Sequence, residues 1–190
     1  MKNNIHGFPQ QQGFGTDISP RIRVSDKLSF NYQFNYNLDP FNIGFANFDS
    51  AGNVIFGGRE THTFVNTLSG KYIFKNDLSL SINARHYWAT GEYKKYYTLL
   101  DNGLLSENTT YSSNNDFSTN FFNVDAVFSW QFAPGSLISI VYKNAIEKDE
   151  NIVPNNYADN FSNTFKSPQT NSISLKVLYY LDYQYLKKRK

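Results

Sequence analysis

The sequence has 190 residues, with 18 Lys and Arg against 16 Asp and Glu for a net charge of +2, no Cys, and 14 Tyr and 17 Phe among its 17% aromatics. The near balance of charge excludes an electrostatic case for nucleic acid, and the lack of cysteine excludes a disulfide scaffold or a thiolate metal site. A mean hydropathy of −0.52, with no apolar run near ~18 residues, excludes a transmembrane helix. One domain with a strand-rich fold suits the length and the Tyr and Phe content.

The first stretch, "MKNNIHGFPQQQGFG", lacks the apolar core of a secretory signal; export therefore predicts that residues precede it. "ISPRIRV" reads as a weak strand, followed by a tight turn at Ser25 to Lys27. In "LSFNYQFNYNL" the residues Leu28, Phe30, Tyr32, Phe34, Tyr36 and Leu38 alternate with Ser and Asn or Gln, the period of a strand with one apolar and one polar face. A polar connection is expected over 39–58, where the Gly pair of "VIFGGRE" reads as a loop turn and not as a phosphate loop. "HTFVNTLSGKYIF" is a weaker strand, "KND" (Lys75 to Asp77) a turn, and "LSLSINARHYW" a clear strand.

A long polar connection is expected over 89–117, including "YKKYY", before the strand "FNVDAVFSWQF". "APGS" (Ala133 to Ser136) is a type II turn by its chemistry: Pro presets φ and Gly accepts positive φ. "SLISIVYKNAI" follows, then a polar stretch over 147–171 and the closing strand "NSISLKVLYYLDYQYL", capped by Lys187 to Lys190. That makes about seven strands, most near the ~9–11 residues that cross a bilayer when tilted. Connections alternate short and long, the rhythm of an outer-membrane barrel. The sequence thus predicts an all-β, antiparallel transmembrane β-barrel, with lipid against the apolar faces. Aromatics at strand ends, such as Trp88, Tyr183 and Tyr185, fit its interfacial girdles.

In such a barrel the polar face looks into the lumen, and Arg21, Arg23, Arg85, Asp125, Lys143, Lys176 and Asp182 fall on it. They either brace the interior as ion pairs or line an aqueous path. Tyr93, Tyr96, Tyr97, Tyr111 and Tyr157, set among amides in the long connections, are the candidates for stacking on a glycan. His6, His62 and His86 have no spacing that forces a triad or a metal site; His86 is expected at the lipid headgroups. No catalytic residue, cofactor or metal is expected.

The stretches "FSWQFAPGS" and "SISLKVLYYLDYQYL" resemble the C-terminal end of a family of Bacteroidota outer-membrane proteins. Those proteins carry an N-terminal carbohydrate-binding-like module and a C-terminal β-barrel domain of unknown function. The resemblance implies that residues 1–190 are the last strands of a larger barrel in the outer membrane of a Gram-negative cell. It implies lipid and the barrel-assembly machinery as partners, and a role in anchoring or serving the periplasmic module, through ligand passage or surface binding. The tight turns, and with them the C-terminus, are expected in the periplasm. An outer-membrane hydrolase and a soluble β-rich binding domain are the alternatives.

Overall fold

A computed structural model describes residues 12–181. Its elements are β1 (Phe14–Ile18), β2 (Arg21–Arg23), β3 (Leu28–Phe48), β4 (Val54–Lys75), β5 (Leu78–Leu99), β6 (Leu105–Glu107), β7 (Phe117–Ala133), β8 (Ser136–Glu150), α1 (Tyr157–Thr164) and β9 (Gln169–Leu178). They form one antiparallel sheet in the order β1-β3-β4-β5-β7-β8-β9, with β2 also on β3 and β6 also on β5. The order follows the chain, because hairpins bring successive antiparallel strands together. The expected all-β antiparallel architecture is present, but these residues do not close into a barrel: β1 and β9 are free edges at opposite ends of the strand order.

All three tight turns lie at one end of the sheet. Ser25 Oγ accepts from the Lys27 and Leu28 amides (3.2 and 3.1 Å), closing the first, and Lys75 leads into Leu78 at the second. At the third, Gly135 takes φ +74° behind Pro134. At the other end two of the expected long connections are mostly strand. β3 and β4 continue to a short tip between Phe48 and Val54, and β5 runs to Leu99, so 39–58 and much of 89–117 are hydrogen-bonded ladder. Two long connections remain, 100–116, which contains β6, and 151–168, which contains α1. Asn156 caps that helix, its side chain accepting from the Asp159 amide at 2.8 Å, with the Asp159 carboxylate in the first turn.

The register sorts the side chains into two faces. One row across the sheet reads Leu28, Tyr72, Leu80, Phe128, Ile140, Leu175; the next reads Phe30, Gly70, Ile82, Ala126, Tyr142, Ile173. On the opposite face Asn31, Ser69, Asn83, Asp125, Lys143 and Ser172 stand in line, with Arg21 beside Asn31. The apolar face near the tight turns is open: Leu68 is 46% exposed, Ile82 43% and Leu175 66%. Among the described residues, the buried hydrophobic side chains are Ile55, Trp88, Tyr97 and Ile146, all in the half away from the tight turns. No helix is long and apolar enough to cross a membrane, which says nothing of strands.

Candidate functional site

Three constellations stand on this sheet. The first joins α1 to the apolar face. Tyr157 and Phe161 stack at 6.0 Å, Phe161 meets His86 edge-on at 5.0 Å, and Phe165 meets Phe122 at 4.7 Å. Under these rings His86 is 2% exposed. The Tyr32 hydroxyl donates to Asn66 Oδ1 (2.5 Å), and Asn66 Nδ2 donates to the Tyr157 hydroxyl (2.9 Å). That orients the Tyr157 proton toward His86 Nδ1 (2.8 Å) and leaves Nε2–H to Asn120 Oδ1 (3.4 Å). Asn120 and Asn160 then exchange amide bonds at 3.0 and 2.6 Å. Among the described residues no buried side-chain N or O lacks a partner.

His86 is therefore a neutral, doubly bonded side chain that holds a helix, and the expectation that it meets lipid headgroups is corrected. Alternation places it on the face it occupies, and the helix above that face is what buries it. The signal for α1 was available in Asn156 as a cap and in Tyr157, Phe161 and Phe165, four apart. His62 is likewise engaged at both nitrogens, by the Tyr36 hydroxyl (2.9 Å) and by Glu60 (3.0 Å). His6 lies outside the described residues.

The second constellation is at the far end of β4 and β5. Tyr93 stacks on Tyr96 (5.6 Å, 13°), and Tyr96 meets Tyr111 edge-on at 4.7 Å. Asn115 Nδ2 donates to the hydroxyls of Tyr96 (3.3 Å) and Tyr111 (3.1 Å). The Arg59 guanidinium lies 5.4 and 5.5 Å from the Tyr93 and Phe117 ring centres, and donates to Tyr93 Oη at 2.6 Å and Asn42 Oδ1 at 3.3 Å. Three of the five tyrosines expected in loops thus come together as a ladder. The other two do not join it: Tyr97 is buried on β5, and Tyr157 belongs to the α1 clamp. Arg59 was missed because Gly57 and Gly58 before it read as a turn.

The third is the polar face. Arg21, Arg23, Arg85, Asp125, Lys143 and Lys176 all fall on it by register; Asp182 lies outside the described residues. Lys143 bridges Asp125 at 3.3 Å, and Arg23 bridges Asp26 at 2.9 Å. This face is hollowed. A cavity of about 450 Å³ is lined by Arg21, Asn31, Lys71, Asn83 and Asp125, and another of about 330 Å³ by Arg85, Asn123 and Lys143. Among the described residues no cluster of His, Asp and Glu could hold a metal.

These features define a class: an all-β antiparallel meander with one apolar face, one hollowed polar face, and an aromatic cluster at the end away from its tight turns. The chain belongs to the family described as Domain of unknown function (DUF5916), which matches residues 3–190. No match is found among the curated proteins, and none among the solved structures.

Proposed function

We propose that this chain is a membrane-spanning segment of an outer-membrane β-barrel in a Gram-negative cell, its apolar face against lipid and its polar face toward the lumen. The observation that carries this reading is the exposed apolar face near the tight turns. Contiguous apolar surface beyond a few hundred Å² marks a membrane or protein interface, and here it runs from Leu28 to Leu175 across six strands. Its height approaches the ~25 Å apolar band of such barrels. Phe122 to Trp130 on β7 is eight residue steps, about 26 Å along a strand and about 20 Å along the normal at a ~40° tilt. Aromatics stand at the short-turn limit, where Phe132 stacks on Tyr179 at 6.1 Å. Trp88, expected at a strand end and an interface, lies instead in the middle of β5 at 5% exposure, packed between Phe64 and Tyr157.

The free edges of β1 and β9 belong with this reading, since hydrocarbon tolerates no unpaired strand edge and further strands are needed to complete the wall. Resemblance to proteins with a carbohydrate-binding-like periplasmic module supports a role in anchoring or serving that module. The tyrosine ladder with Asn115 is the place for a glycan to rest. Barrel-assembly machinery and lipid are the implied partners.

Lysine scanning on β7 tests the proposal. Phe128→Lys should cost ~2–4 kcal/mol in lipid vesicles if it sits near the midplane, and Ser129→Lys, on the other face, much less. Equal penalties, or a protein that folds in buffer without detergent or lipid, would overturn it.

A further inference from the structure

The polar face carries a charge imbalance that bracing does not account for. Four successive rows next to the tight turns hold Arg21, Arg23, Lys71, Arg85, Lys143 and Lys176, with Asp125 as the strand carboxylate among them. Asp125 is engaged by Lys143, and Arg23 by Asp26 of the adjoining turn. Arg21, Lys71, Arg85 and Lys176 have no ion pair among the described residues. Among the described residues the other strand acids of this face, Asp17, Asp39, Glu147 and Asp149, stand on rows farther from the tight turns, and Asp77 lies in the turn between β4 and β5.

Same-face rows lie about 7 Å apart and strands about 5 Å apart. Lys71 and Arg85, one strand and two rows apart, thus stand roughly 14 Å apart at the backbone, beyond a Debye length of ~8–10 Å. Their long side chains act on an ion held between them rather than on one another. Both hollows open onto this belt, one lined by Arg21 and Lys71, the other by Arg85 and Lys143. Asp125, paired with Lys143, lines both, and Ser29, Ser81, Asn83 and Asn123 can bond an ion without adding charge. Rings of Arg and Lys select anions in pores. We infer that this belt binds small anions and makes the water path along the polar face anion-selective. The inference rests on the barrel reading, because it needs the polar face to enclose a lumen.

The test is ion selectivity of the full-length protein in planar bilayers under a potassium chloride gradient. Chloride should permeate several-fold better than potassium. The double variant K71E/R85E should at least halve that preference or reverse it, while K71R/R85K should keep it. Lys176→Glu alone should lower it by a smaller factor, and a heat-shifted gel band shows that each variant is folded. Potassium preference in the unmodified protein, an unchanged ratio in K71E/R85E, or an inserted protein that passes no ions would each overturn the inference. Failure to insert at all would strike the membrane reading first, and the lysine scan on β7 reads that separately.

Discussion

Tyr157 and His86 are 71 positions apart, and the 2.8 Å bond between them is one of the links that hold α1 on the sheet. Tyr157→Phe removes the hydroxyl while leaving most of the ring packing, so Asn66 Nδ2 and His86 Nδ1 both lose a partner. An unsatisfied buried polar group costs about 1–3 kcal/mol. The variant should therefore undock α1 more often, seen as faster limited proteolysis within 151–168, with the strand ladder unchanged. This bond was not legible in the sequence: alternation places His86 on a face, but nothing local says which segment returns to cover it. Asp49 is a simpler case. Its carboxylate accepts from the Asn53 side chain (2.9 Å) and from the Asn53 and Ala51 amides (2.8 and 2.9 Å), which together hold it below its ordinary range. A carboxylate with a lowered folded pKa stabilises above its unfolded value, and that contribution is lost as pH falls through the folded one. The tip between β3 and β4 should stay ordered at neutral pH and fray in acid, and Asp49→Ala should remove the acid transition from its hydrogen-exchange profile.

The strands β3, β4 and β5 extend well past the ~9–11 residues that span a bilayer because their glycines serve space rather than turning. A methyl at Gly57 would overlap the Tyr93 ring, and one at Gly58 would lie 2.6 Å from Phe41. One at Gly44 would lie 2.9 Å from the Arg59 guanidinium. Read in sequence, "VIFGGRE" and the Asn-rich stretch before it signal a loop; in the sheet those glycines mark where rings and a guanidinium cross the backbone. Phe41, Ile43 and Phe45 do alternate in the sequence, but the polar residues around them read as a connection. By contrast the tight turns were legible, because Pro134 and Gly135 carry their dihedral preferences in themselves. Gly57→Ala should cost about 1–3 kcal/mol by overpacking and displace Tyr93 from Arg59, read as faster exchange of amides in 54–60 and 92–98. Gly52, at φ +86° with nothing within 4 Å of its added methyl, is a backbone case instead. Gly52→Asn should be nearly neutral there, since Asn tolerates the left-handed region, whereas Gly57→Asn should be as damaging as Gly57→Ala.

At the scale of the whole molecule, the two ends of the sheet differ in build, and that difference predicts orientation. Bacterial barrels keep short turns in the periplasm and longer connections outside. Here the short turns share one end, while α1, β6 and the tyrosine ladder share the other. β9 runs toward the short-turn end, since Leu178 pairs with Leu137 just past the Ala133–Ser136 turn. The chain beyond β9 should then face the periplasm, with any module it serves on that side. Among the described residues the sheet has nine strands, seven of them along one hydrogen-bonded path, with β2 also on β3 and β6 also on β5; the alternation predicts about seven. What alternation could not tell is how the path ends. A free edge has no side-chain pattern of its own, and β9 is exposed along its whole length. Orientation is open to direct test in cells carrying the full-length protein with an epitope tag after Lys190. Protease added outside should cut within 100–116 or 151–168 and leave the tag intact until the outer membrane is breached. Removal of the tag in intact cells, with both segments protected, would reverse the topology. The tyrosine ladder would then face the periplasm, and a glycan bound there would have to come from the module and not from the medium.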